Sequence, residues 1–114
     1  PYVIERMDKL WAERDNSTGS FGIALPDPPS TYIPGHVYGC LFDDAVGLRN
    51  RDLIGMDQLT FEVDYPHADT TWPETVEVVE RIVGDAGLDD DETYKLLRGN
   101  AIEAYGLGRF GIDA

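Results

Sequence analysis

The chain has 114 residues, 42% of them hydrophobic, which suits one small folded domain with one core rather than a disordered tail. Its 22 acidic and 9 basic side chains leave a formal charge of −13, a field that repels phosphate backbones and anionic membrane surfaces, so neither nucleic acid nor a membrane is an expected partner. No apolar run approaches the roughly 18 residues needed to cross a bilayer, and the lone Cys40 cannot form an intrachain disulfide, so the expectation is a soluble, cytoplasmic protein.

Pro1 leads directly into a helical pattern, without Met, cap or lead-in. This is expected of a piece of a larger protein, with residues 1–114 as a single partial domain. From Tyr2 to Arg14 the apolar positions Val3, Ile4, Met7, Leu10 and Trp11 fall on one stripe of an amphipathic helix. The stretch from Asn16 to Pro34 carries Pro26, Pro28, Pro29 and Pro34 and reads as a long loop, of the kind that forms lids or binding loops.

His36 to Phe42 is a short apolar, aromatic-rich run between turn signals and suits a buried strand of a parallel sheet. Asp43 and Asp44 follow as possible helix caps. A weaker helical pattern then runs from Ala45 to Ile54 and stops at Gly55. Gln58 to Val63 predicts a second strand, and Asp64-Tyr65-Pro66-His67 follows at once. Thr71, Pro73 and Glu74 have the spacing of a capped helix start, with Thr71 as cap, and that helix is expected to run to about Asp85 and close at Gly87. Asp89 and Glu92 repeat the cap spacing for a helix from Asp90 to Arg98, with an interruption at Gly99-Asn100 before one more turn from Ala101 to Tyr105.

Two strands separated by a helix form a right-handed βαβ unit with a parallel pair, so the fold class is α/β. A two-stranded parallel sheet is a poor free-standing core, because such strands belong to larger layers or closed barrels.

Asp64, at the C-terminal end of the second strand, is the residue best placed for chemistry. In a parallel barrel its side chain leaves the strand at the active-site mouth, where a carboxylate can ligate a divalent metal and accept a proton from bound water. The competing reading is a strand-ending Asp that caps the following turn. His67, three residues on, is a possible ligand, acid-base group or substrate contact, although a lone His in a polar loop more often has no such role. His36 reads as structural, at the far end of its strand from that mouth. Asp43 or Asp44 could contribute to the pocket, but such pairs more often cap a helix. Cys40 reads as an inert packing thiol inside a strand. Trp11 and Trp72 are expected to bury large faces, with Trp72 close enough to the mouth to line it. Gly106-Leu107-Gly108 is a helix stop, too weak a pattern for nucleotide binding.

The string from Asp64 to Pro73, with Gly55 to Val63 before it, resembles the last strand and loop of the amidohydrolase-related family of metal-dependent hydrolases and decarboxylases, often called amidohydrolase 2. Pro1 to Asp8, Asp89 to Asn100, and Gly99-Asn100-Ala101 with Tyr105-Gly106 are similar to further segments near that family's C-terminus. The resemblance implies strands seven and eight, with flanking helices, of a metal-dependent (β/α)8 TIM barrel. It makes Asp64 both the catalytic residue and a ligand of one divalent metal, usually zinc, with His67 and Trp72 as pocket residues for a small-molecule substrate. The implied chemistry is hydrolysis by metal-activated water, or a related decarboxylation. The family's His-x-His pair and its further histidines have no counterpart in this chain. One carboxylate cannot hold a catalytic zinc, which takes about three protein ligands plus water. The chain alone is therefore expected to bind no metal and to be inactive, with an open sheet edge that favours a homo-oligomer. The alternatives are a non-catalytic half-barrel serving as a structural or binding module, and an acidic α/β domain that carries the motif by chance.

Overall fold

The computed structural model describes residues 1–13 and 25–113. The part of the expected loop from 16 to 24, along with Arg14 at the end of the first predicted helix, lies outside the described residues. The chain divides into two compact units, Pro1–Val37 and Tyr38–Ala114.

In the first unit, helix α1 spans Tyr2–Glu13. The Trp11 indole donates to the Leu25 carbonyl at 3.0 Å, and the Ser30 amide donates to the Asp8 carboxylate at 2.9 Å. The second bond fastens a short 3-10 turn, Pro29–Tyr32, to the helix, and the first holds Leu25 ahead of that turn. The predicted apolar stripe is not a buried face here: Val3, Met7 and Leu10 are exposed, and only Ile4 and Trp11 are half-buried.

The second unit holds a parallel pair, β1 (Gly39–Leu41) and β2 (Leu59–Phe61), with Cys40 opposite Thr60. The pair is α/β in construction, as expected, but each strand is shorter than its apolar run. His36 and Val37 do not extend β1, because both amides turn back to the Ile33 carbonyl at 3.0 Å. Between the strands the predicted helix breaks at Asn50, where the backbone departs from helical angles, giving α2 (Ala45–Arg49) and α3 (Arg51–Ile54).

Successive strand residues face opposite sides of a sheet. Leu41, Leu59 and Phe61 face one side, where Leu41 and Leu59 join Leu48, Ile82 and Leu96 in the core and Phe61 packs against it. Helix α4 (Thr75–Ala86) supplies Ile82. The end of α4 is as predicted: Gly87 takes the left-handed conformation at φ 62°, and Leu88 donates back to Val83 at 3.1 Å. Its start is not. Thr71 does not cap it, because the Thr71 amide is already bonded to the Val63 carbonyl at 3.2 Å and its hydroxyl meets that of Thr75 at 3.1 Å. Glu74 takes the cap position without a side-chain bond.

The reciprocal cap of Asp89 and Glu92 does form and opens α5 (Asp90–Tyr94). Glu92 has a second partner, the Arg51 guanidinium at 2.7 Å, and Arg51 also donates to the Leu48 and Ala86 carbonyls. The same hydrogen bond to Glu92 raises the Arg51 pKa above its ordinary value.

No interruption occurs at Gly99-Asn100. A π turn, Lys95–Gly99, carries the backbone from α5 into α6 (Asn100–Tyr105), and both residues keep helical angles. Gly99 is required by close approach, since a Cβ there would lie 2.8 Å from the Tyr94 ring. Asn100 is buried and its amide donates to the Met56 carbonyl at 2.8 Å and the Leu59 carbonyl at 2.7 Å, holding the start of β2.

Asn100→Ala would leave both carbonyls without that partner, and we expect it to cost about 2 kcal/mol in urea unfolding. Leu48→Ala, at a fully buried site, should cost about 3 kcal/mol. A loss under about 0.5 kcal/mol for Asn100→Ala would mean the carbonyls find other partners.

Candidate functional site

Beyond β2 the ladder continues for one bond, from the Glu62 amide to the Leu41 carbonyl at 3.0 Å, and the chain then turns sharply. By the alternation of the strand, Thr60 and Glu62 share the side away from the core, with Cys40 across from Thr60 on the same side, and Asp64 follows beyond the strand, close enough for its charge to act on Cys40. Asp64 stands at φ 58°, the described chain's one non-glycine residue in the left-handed region, which Asp tolerates better than most residues. Its carbonyl accepts the His67 amide at 2.9 Å, closing a turn that contains the cis Tyr65–Pro66 peptide.

The structure brings two of the three sequence-predicted site residues into contact. Nδ1 of His67 lies 2.9 Å from Oδ1 of Asp64, with the carboxylate about one-third exposed and the imidazole mostly exposed. Trp72 stands apart from that pair, 59% exposed rather than buried, and its ring meets Tyr65 edge-on at 6.0 Å between centroids. The loop is tied at its base, where the Val63 carbonyl accepts both the Thr71 amide and the Thr70 hydroxyl, the latter at 2.7 Å.

The remaining candidates fall elsewhere. His36 sits outside β1, with Nδ1 3.1 Å from the Pro34 carbonyl. Asp43 binds Arg81 of α4, with both carboxylate oxygens 2.8 Å from one guanidinium nitrogen, and so its carboxylate is already paired. Asp44 takes the cap position of α2 but makes no side-chain cap bond.

Cys40 is not a buried packing thiol: it is exposed, on the face that carries Glu62. Partial burial of the sulfur, followed by its hydrogen bond to Glu62 and the charges of Glu62 and Asp64, pushes the thiol above the usual cysteine range. Glu62, Tyr65 and Thr70 belong to this surface and were missed in the sequence. Only Glu62 was signalled there, by lying two residues before Asp64.

Asp64 and His67 are two groups, and among the described residues no three His, Cys, Asp or Glu side chains come together as a metal-binding group. A catalytic zinc takes about three protein ligands, so these residues do not fit a complete metal centre. Among the described residues no helix is long and apolar enough to cross a membrane.

A family model described as "Amidohydrolase" matches residues 5–107, nearly the whole chain and all of the Asp64 loop. No curated protein matches.

Because its thiolate is disfavoured, Cys40 should react with iodoacetamide more slowly at about pH 8 in the folded chain than in urea. Glu62→Gln should accelerate the folded reaction and move its pH midpoint downward. Equal rates for the two folded proteins would show that Glu62 does not act on the thiol.

Proposed function

The chain belongs to the amidohydrolase family, and from that premise we propose that it forms the last two βα units of a (β/α)8 barrel hydrolase or related decarboxylase, residues 1–114 being one partial domain of it. The carrying observation is Asp64, held in a left-handed backbone just past the C-terminal end of a parallel strand, close enough for its charge to act on the exposed Cys40. In barrels that end of the strands is where catalytic groups gather.

The family generally uses divalent metals. In this reading Asp64 is one ligand of a metal, zinc by preference, and the other ligands come from strands outside this sequence. His67, already bonded to the Asp64 carboxylate, and the exposed Trp72 line the mouth for a small-molecule substrate. The 114 residues alone hold no catalytic metal and turn over no substrate. Among the described residues the parallel pair has one strand neighbour per strand, and a sheet of two strands with open edges supports self-association of the isolated chain. Neither nucleic acid nor a membrane is a partner in this reading, and the protein works in the cytoplasm.

Two measurements test this. The coding sequence upstream of Pro1 should contain a His-x-His pair within a few hundred codons, and its absence sinks the proposal. In the longer protein, metal analysis should find a bound divalent ion whose affinity falls by at least about 100-fold in Asp64→Ala, with turnover lost. Full activity and retained metal in that variant would remove Asp64 from the site. The isolated chain should elute without stoichiometric zinc. A well-folded monomer in sedimentation would count against self-association and against a half-barrel that serves only as an assembly module.

A further inference from the structure

We propose that Thr70 is a positioning residue for the Asp64 loop, one hydroxyl that sets both the Asp64–His67 pair and the Trp72 ring. Its O–H donates to the Val63 carbonyl at 2.7 Å, and its oxygen accepts the Trp72 amide at 3.2 Å. Val63 is the residue immediately before Asp64, and Trp72 is the residue whose ring meets Tyr65. The hydroxyl therefore joins the strand end that presents the carboxylate to the segment that presents the indole, using its donor and its acceptor at once.

The second bond to the Val63 carbonyl, from the Thr71 amide, is longer at 3.2 Å and does not involve Trp72. It closes the loop without fixing the angle between its two arms. Asp64 holds a backbone conformation that costs energy for any residue with a Cβ, and such a conformation persists only where neighbouring bonds over-determine it. Thr70 supplies that determination through the carbonyl of the residue just before Asp64. Valine has nearly the shape of threonine but neither hydrogen-bonding capacity. Thr70→Val would therefore free one arm of the loop and leave the Trp72 amide without its partner, whereas Thr70→Ser keeps both bonds.

The catalytic meaning of this role rests on the proposed place of Asp64 in the site, but its geometry can be tested in the 114-residue chain alone. In isotope-labelled protein at fixed pH, two signatures report the loop: the His67 Nδ1 shift that marks its bond to Asp64, and the cross-relaxation between the Tyr65 and Trp72 rings. Thr70→Val should lose both, while the amides of α4 and α6 keep wild-type hydrogen-exchange protection. Thr70→Ser should restore both. The proposal is overturned if Thr70→Val keeps either signature, if Thr70→Ser loses them as well, or if Thr70→Val lowers protection across α4 and α6 together, which would mark a residue of the core and not of the loop. None of these results bears on metal content, and an upstream sequence without His-x-His would leave the Thr70 geometry standing.

Discussion

The buried amide of Asn100 reaches from the first turn of α6 to two carbonyls at the start of β2, and the arrangement of the larger unit depends on that reach. Met56 opens the 3-10 turn that leads into the strand, and Leu59 is the strand's first residue. The Met56 carbonyl also accepts the Leu59 amide, whereas the buried bond from Asn100 to the Leu59 carbonyl supplies a partner that a strand carbonyl needs. Asn100 satisfies both with one group, and in doing so sets where β2 begins. The register with β1, the side on which Leu59 joins the core and the side to which Glu62 turns then follow from the two-residue period of a strand.

The π turn before Asn100 serves the same requirement. A regular helix advances about 100° per residue, and the wider turn over Lys95–Gly99 shifts that phase so that Leu96 enters the core and Asn100 faces β2. Arg51 braces the opposite end of the helix pair. It pairs with the residue that caps α5 and donates to carbonyls on α2 and α4, so a single guanidinium joins four helices beneath the sheet. The helix-covered side of the parallel pair is thus closely cross-linked. The other side carries a thiol and the Glu62 carboxylate, with Asp64 just beyond the strand and no Lys or Arg in the sequence between Arg51 and Arg81. A surface of that charge favours cations over anions, in keeping with a family that generally uses divalent metals.

How much of this was legible in the sequence varies with the range of the interactions involved. The Gly87 helix end and the cap of Asp89 and Glu92 are local arrangements of a few residues, and both formed where their spacing placed them. Thr71 and Glu74 have the same cap spacing, yet no cap formed, because the Val63 carbonyl competes for Thr71 from eight residues away. Gly99-Asn100 carries an ordinary helix-stop signal that was overridden by contacts to Tyr94, Met56 and Leu59, and a sequence window cannot rank those against local propensity. Cys40 looked buried because its neighbours are apolar, but the strand has only one covered side and Cys40 faces the other.

For the proposed site, position along the strand marked Asp64 only as a candidate beside the reading of a turn-capping Asp, and the family resemblance of its segment gave it the role of a metal ligand. The sequence by itself determined the element types, two of the helix boundaries and the acidic character of the surface, because these depend on short-range sterics, capping and summed charge. Tertiary structure alone decided that Asp64 takes a left-handed backbone against His67, that Asp43 pairs with Arg81, and that Thr70 joins the two arms of the loop. Each of these is a contest between partners for one hydrogen-bonding group, and its outcome depends on which of them the packed core brings within about 3 Å.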